Sequence, residues 1–403
     1  MAANKTAVLI GHNFNSILGL ARALGGNGWK VSAIRTGYKR KKSFIGNLGL
    51  SPEAHSKYIS FYKRIDGNNT EELLRELRKL SAGASAKGIL LPVDDLSATF
   101  VDENLSLLSD LYYVPNVNGT PGEVIRLMDK YYQKQLAIKA GLPVPRGWSI
   151  RIEGGSYQIP EDIMYPCFAK TDTPILGRKH YMGKCDSKDE LAKLLDRTAT
   201  ACDCEMLVEE YIPIEKEYGC VGVSDGKHVC IPGIAEKTML GHGTNAGVTV
   251  RGKIHLPDEY PETRDKMKEF IASTGFQGIF DIDLYEAEGI VYFNELNVRM
   301  GAEGVGTLLA GVNLAEMFAD IVQNEGKNVD FDAKARPITF VNERPLYSDY
   351  GENYISWKQC REAVRSVDQR CIYAKDDKGP HYDSVFFVFR QLARKKLRAI
   401  RRR

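Results

Sequence analysis

Two segments near residue 290 concentrate carboxylates, an amide and a guanidinium at strand spacing. Phe280-Asp281-Ile282-Asp283-Leu284 and Phe293-Asn294-Glu295-Leu296-Asn297-Val298-Arg299 each alternate apolar with polar residues, and Ala287 and Glu288 offer a turn between them. In such a hairpin Asp283 and Glu295 lie close across the sheet, while Glu295, Asn297 and Arg299 share one face. Neighbouring carboxylates repel unless a positive charge sits between them, and an all-oxygen set suits magnesium or manganese better than zinc. The plainer reading is a solvated strand face on which Arg299 pairs with an acid.

Two lysines precede these acids, Lys130 early in a helix and Lys170 at the end of an apolar strand. Either alone reads as a surface charge. The run Leu207-Val208-Glu209-Glu210-Tyr211-Ile212, followed by Glu217, offers backbone groups and Ile212 to a flat heterocycle and a carboxylate to sugar hydroxyls. Between the two candidate hairpins lies Lys237-Thr238-Met239-Leu240-Gly241-His242-Gly243-Thr244-Asn245-Ala246-Gly247, then Arg251. As a flexible loop it would grip a carboxylate, with Arg251 bidentate, or be a mobile surface segment without a ligand.

Positioning these groups requires a sheet, and the chain supplies the pattern for one. In the first third, short apolar runs alternate with helical patterns, as in a parallel sheet wrapped by helices. Thr6 to Ile10 reads as a strand, Gly11-His12-Asn13 as a turn, Ser16 to Leu24 as a helix ended by Gly25-Gly26, and Lys30 to Ile34 as a strand. Gly88 to Val93 reads as another strand, leading into Asp94-Asp95. The first turn lacks GxGxxG, so a strand-helix corner is the simpler account. Thr120-Pro121-Gly122-Glu123 carries helix-start residues, and Gly141 with Pro143 and Pro145 a stop, which predicts one helix from Pro121 to about Ala140. Pro166 to Thr171 and Met206 to Tyr211 are expected strands, with a helix opened by Ser187-Lys188-Asp189-Glu190 between them. Glu217 to Val223 with His228 to Pro232, and Gly278 to Tyr285 with Ile290 to Glu295, are expected hairpins. Thr263 to Thr274 reads as a helix, then a glycine-rich bend follows Arg299, and a helix runs from about Asn313 to Gln323.

A chain of 403 residues with 43% hydrophobic content can bury two or three cores. No apolar run approaches the roughly 18 residues of a membrane span, and Ala7 to Ile10 is short for a signal-peptide core, so a cytoplasmic location is expected. The eight cysteines are scattered and show no CxxC spacing, which favours free thiols. The net charge of +3 belongs to the end of the chain, because Phe386 to Arg403 holds eight Lys and Arg and no acid. The rest is mildly acidic, which argues against a nucleic-acid partner. The interleaved Phe386, Phe387, Phe389, Leu392, Leu397 and Ile400 suit either a docked helix with a basic end or a peripheral contact at the inner membrane surface.

The order of these elements resembles the ATP-grasp superfamily over roughly Asp129 to Gly311, and Glu295-x-Asn297-x-Arg299 is the most specific part of the likeness. The resemblance implies an α/β chain: an N-terminal Rossmann-like (pre-ATP-grasp) domain at 1–115, a two-subdomain α+β ATP-grasp fold at 116–325 with its central ATP-binding subdomain at about 145–212, and a C-terminal region at 326–403 with the basic tail. It puts Lys130 and Lys170 on ATP phosphates, Glu209, Glu210 and Ile212 at the adenine, and Glu217 at the ribose. Asp283, Glu295 and Asn297 fall on two magnesium (or manganese) ions, with Arg299 and Lys170 facing the transferred phosphoryl group as the catalytic pair. One departure is the loop after the second lysine, glycine-rich in the family. Here Thr171 to Lys184 has only Gly177 and Gly183, so Gly177-Arg178-Lys179-His180 would cover phosphates with cations or be a solvated loop. Gly11 to Leu20 with Arg22 is similar to carbamoyl-phosphate-synthase-like carboxylate-amine ligases, of which D-aspartate ligase is the best-known relative.

The implied reaction is ATP-dependent activation of a carboxylate as an acyl phosphate and its capture by an amine, which suits cell-wall or surface-polymer synthesis. Its substrates are a small carboxylate and a small amine, held by Lys237, His242 and Arg251, with His242 as candidate acceptor of the amine's proton. A homodimer is compatible with this reading. Two rivals remain open: a bicarbonate-activating carboxylase or carbamoyl-phosphate-type enzyme, and a non-catalytic nucleotide-binding module at the membrane.

Overall fold

A computed structural model describes residues 5–38, 51–66, 69–171 and 181–401. The basic segment Gly177-Arg178-Lys179-His180 lies outside them. Three sheets organise the chain. The first is parallel throughout, in the order β3-β2-β1-β4-β5, with β1 Thr6–Gly11, β2 Lys30–Tyr38, β3 Ile59–Asp66, β4 Gly88–Pro92 and β5 Tyr112–Tyr113. Its central strands are continuous apolar runs because helices cover both faces. Helix Phe14–Gly25 is one cover: Asn13 caps it by accepting from the Ser16 N–H, and Ile17, Leu18, Leu20, Ala21 and Leu24 are buried.

Strand β6, Asn116–Val117, leaves this layer and pairs with the largest sheet. The second sheet is antiparallel, in the order β7-β10-β8-β9, from Gly147–Ile152, Cys204–Glu210, Cys167–Thr171 and Gly183–Cys185. Helix Lys188–Ala199 covers it, capped by Ser187. The third sheet has nine strands. Its main path is β16-β15-β11-β13-β14-β17-β18, built from Ile290–Asn297, Phe276–Ala287, Lys216–Asp225, Ile234–Leu240, Thr249–His255, Ile338–Val341 and Gln369–Arg370, while β12, Val229–Cys230, and β6 pair at its sides. Phe280, Ile282 and Leu284 of β15 point into a core shared with Phe270 and Phe293, whose rings meet edge-on at 5.0 Å.

Three expectations need correction. The helix read from Pro121 to Ala140 is two, Glu123–Leu127 and Lys130–Lys139. Gly122 is left-handed (φ 86°), which delays the start, and the Asp129 side chain accepts from the Tyr132 N–H, starting a new helix. The stretch 237–251, expected as a flexible loop, is the β13–β14 hairpin, with a short 3-10 turn at Gly243–Asn245. The glycine-rich bend after Arg299 contains helix Glu303–Leu309, whose Val305 packs on Gly19 of the first helix.

All eight cysteines are free. Among the described residues no single helix is long and apolar enough to cross a membrane. The final helix, Gly379–Arg401, packs against helix Glu343–Glu352, burying Phe387 and Gln391 and leaving Phe386 and Phe389 exposed.

Candidate active site

The hairpin of β15 and β16 sets Asp283 directly opposite Glu295 and Asp281 opposite Asn297. A bulge follows, because Leu284 pairs with Phe293 and leaves Asn294 as the extra residue. Strict alternation would turn Asn294 away from Glu295. With the bulge, both line the same cavity. Asn297 links the set: its Nδ2 donates to Asp283 Oδ2 (3.2 Å) and its Oδ1 accepts from Arg299 Nη2 (3.0 Å). Arg299 Nε donates at 2.8 Å to Asp95, which begins the helix after β4 of the parallel sheet. Burial works against the Arg299 charge, but Asp95 and the nearby acids raise its pKa further.

Three lysines face these acids. The break at Asp129 makes Lys130 the first residue of its helix, and its ammonium is paired with Glu295. One turn later Lys134, only 4% exposed, pairs with Glu209. Lys170 at the end of β8 reaches Glu209 Oε2 at 2.9 Å and donates to Asn294 Oδ1 at 3.2 Å. Glu209 therefore bridges Lys134 and Lys170. Burial pushes the Glu295 carboxyl up, but Lys130 and Lys170 outweigh it and hold the group at about 2. Burial and the like charges of Lys170 and Lys130 push Lys134 down.

Lys130, Lys170, Glu209, Asn294 and Glu295 line a cavity of about 640 Å³. Phe168, Met182, Tyr211, Ile212, Ile214 and Tyr285 line it too, together with Glu210. A cavity of that size, lined by both apolar and charged side chains, matches a flat base carrying a phosphate chain. Glu217 stands apart on β11, its Oε2 4.0 Å from Lys237 Nζ, and burial raises its pKa.

Lys237 is a buried counter-ion rather than a loop cation. Its Nζ donates to Asp283 Oδ1 at 2.6 Å and lies 3.8 Å from Glu303. Burial lowers its pKa, yet Asp283 and Glu303 prevail and hold it charged. Glu303, a residue the sequence did not single out, also accepts from Thr249 Oγ1. Behind Asp283, Asp281 is buried with Oδ1 unpaired, and burial plus Glu303 and Asp283 push its carboxyl well above the usual range. His242 is tied to Asp349 (Nδ1 to Oδ2, 2.9 Å) and stacked on Tyr354. Arg251 on β14 donates to the Ser366 carbonyl at 3.2 Å. The expected substrate trio is thus engaged by three different partners.

Among the described residues, no three His, Cys, Asp or Glu side chains form a ready metal cage. Asp283, Glu295 and the Asn297 amide are nevertheless a hard-oxygen set on adjoining strands. Magnesium suits such a set, because it takes one or two carboxylates and completes its shell with phosphate and water.

Residues 135–314 match the ATP-grasp domain model. In sequence the chain is similar to the carbamoyl phosphate synthase large chain of Halomonas eurihalina, 25% identical over 219 residues, which make up 50% of this chain and 20% of that protein. It therefore spans about a fifth of that relative's length. In structure it is similar to an ADP complex of N5-carboxyaminoimidazole ribonucleotide synthetase, with a TM-score of 0.62 and 17% identity, covering 88% of this chain and 85% of that one. It is also similar to the L-amino acid ligase from Bacillus licheniformis, with a TM-score of 0.60 and 16% identity over 84% of this chain and 80% of that one. At such identities the two structures establish a shared fold.

Proposed function

Residues 135–314 are an ATP-grasp domain, and from that premise we propose that the chain is an ADP-forming carboxylate-amine ligase. The observation that carries this reading is the set Lys130, Lys170, Glu209 and Glu295 lining one cavity together with Phe168, Tyr211, Ile212 and Tyr285, with Lys134 buried behind Glu209. Adenine lies against Tyr211, Ile212 and Tyr285, near Glu210 and the backbone of Glu209, whose carboxylate pairs with Lys134 and Lys170, and Glu217 reaches the ribose from outside the cavity lining. Lys130 and Lys170 exchange their carboxylate partners for ATP phosphates. Asp283, Glu295 and Asn297 would hold magnesium, which would supply positive charge against the phosphates.

The acid's oxygen attacks the γ-phosphorus in line, with Arg299 and Lys170 spreading the charge that accumulates on the transferred group. ADP departs and an acyl phosphate remains, sheltered from water by the cavity wall. An amine then attacks its carbonyl carbon and phosphate leaves. The first step uses no Ser, Cys or His nucleophile. The finer form of this reading, a role in cell-wall or surface-polymer synthesis, is supported by the similarity of Gly11 to Leu20 to the carboxylate-amine ligases. A homodimer belongs to it as well.

The test is isotopic. With the acid labelled by heavy oxygen, mass spectrometry of released phosphate should show one labelled oxygen, and amide should form only when amine is present. AMP with pyrophosphate, or unlabelled phosphate, would overturn the mechanism. ADP release driven by bicarbonate would assign the carboxylase class, and ATP binding without turnover on any acid would leave a binding module.

A further inference from the structure

The parallel sheet has a reversal in its strand order. From β1 the chain proceeds outward through β2 and β3, then returns to place β4 on the other side of β1 and β5 beyond it. The crevice at the carboxyl ends of β1 and β4 is therefore a topological switch point, where open α/β sheets bind ligands. Two side chains meet across it. His12, directly after β1, places Nδ1 2.9 Å from Oδ2 of Asp94, two residues after β4, and the His12 backbone N–H also donates to that oxygen. Asp94 is buried, 6% exposed at its side chain, while the His12 ring is 55% exposed.

Asp94 is held as well as buried. Its Oδ1 accepts from the Ser97 N–H at 2.8 Å. Burial pushes its carboxyl up, but the contacts from His12 and Ser97 bring it below the usual range, so it is an acceptor only. His12 Nδ1 is then the donor between them, and in the neutral ring Nε2 carries the lone pair. Gly11 makes the arrangement possible: at φ 140° it has a backbone that side-chain-bearing residues rarely adopt, and a Cβ there would stand 2.2 Å from Asp94 Oδ2.

The crevice adjoins the phosphoryl-transfer residues on two sides. Asp95, next to Asp94, grips Arg299 Nε at 2.8 Å. Ser16, four residues after His12, lies with its hydroxyl 3.4 Å from the Met300 carbonyl. His12 is thus bracketed by contacts to consecutive residues, Arg299 and Met300.

We propose that the crevice between β1 and β4 is the subsite for the acceptor amine, and that His12 Nε2 takes the proton this amine loses. This rests on the ligase reading above. The amine nitrogen's electron pair forms a bond to the acyl carbon, the carbon–oxygen bond to phosphate breaks, and phosphate leaves with that electron pair. The N–H proton of the resulting cationic nitrogen passes to His12 Nε2. Asp94 is a positioning residue that fixes the ring and stabilises the imidazolium. His242, in the β13–β14 hairpin, is instead paired with Asp349 and stacked on Tyr354.

The test separates the two half-reactions in His12→Ala, which keeps the backbone contact to Asp94. MgATP is supplied with the standard amino acids as acids and amines together, and separately with the amino acids and hydroxylamine, a nucleophile that needs no base. Amide formation should fall by about 10²-fold or more, the scale of general-base assistance, while hydroxamate formation persists. Added imidazole should restore part of the amide rate. Unchanged amide formation, equal loss of both products, or no rescue would overturn the inference alone. Absence of both products from the unaltered protein would overturn the ligase reading and the inference with it.

Discussion

Glu295→Gln keeps the size of the side chain and removes the charge that Lys130 and Lys170 surround. The carboxyl is held at about 2 against an ordinary 4.5, which corresponds to about 3 kcal/mol favouring its ionised form. Its side chain is 28% exposed, so solvent screening removes only part of this. For a unit the size of the matched domain, about 3 kcal/mol lowers the melting temperature by about 6 to 12 °C. The folded pKa is depressed. The stabilisation is therefore complete above the ordinary carboxylate range and is lost as pH falls from about 4.5 toward about 2. The assay is calorimetry and denaturant unfolding of the protein without nucleotide or metal, at neutral pH and at steps down through that window. The gap between the two proteins should narrow by about 1.4 kcal/mol per pH unit below about 4.5. Equal melting at neutral pH, or a gap that stays constant into acid, would refute the reasoning. Turnover at limiting magnesium should separately fall by orders of magnitude.

Lys170→Ala should weaken ATP binding about 10- to 100-fold by titration calorimetry, the worth of a charged hydrogen bond, and abolish ADP production. An unchanged affinity with normal turnover would remove Lys170 from the site. Deleting 394–403 leaves the buried Gln391 in place against Gly351 and should reduce sedimentation with anionic vesicles while sparing ADP release. Equal sedimentation of both forms would make the basic end a solvated helix terminus.

The hairpin carrying Asp283 and Glu295 was legible because strand alternation is local, and the turn that sets the register, Glu288–Gly289, lies one residue past the expected Ala287–Glu288. Asn294 was not, since a bulge is invisible to a period-two pattern. Lys134 left a readable trace: it lies four residues after Lys130, one helical turn, and so on the same face. That trace was masked by expecting one helix from Pro121, which hid the break at Asp129 and the reason Lys130 points at Glu295. Glu303 sits among glycines that suggest a bend, yet Gly304 and Gly306 are helical, and they are glycines because Met300 and Phe340 press too close for a side chain. The hold of Asp95 on Arg299 spans 204 residues of sequence, and no local pattern predicts such a partner.

That hold separates two kinds of boundary. The stretch matched to the ATP-grasp domain, 135–314, includes neither Asp95, which orients the arginine, nor Lys130, which neutralises Glu295. The bounds of that match and the bounds of the site are therefore different. A segment excised at 135–314 would carry the hairpin and the second lysine but not the anchors that aim them. Moving the hairpin with its arginine still aimed would require the parallel sheet as well, and divergence at position 95 would bear on that aim as directly as divergence at position 299.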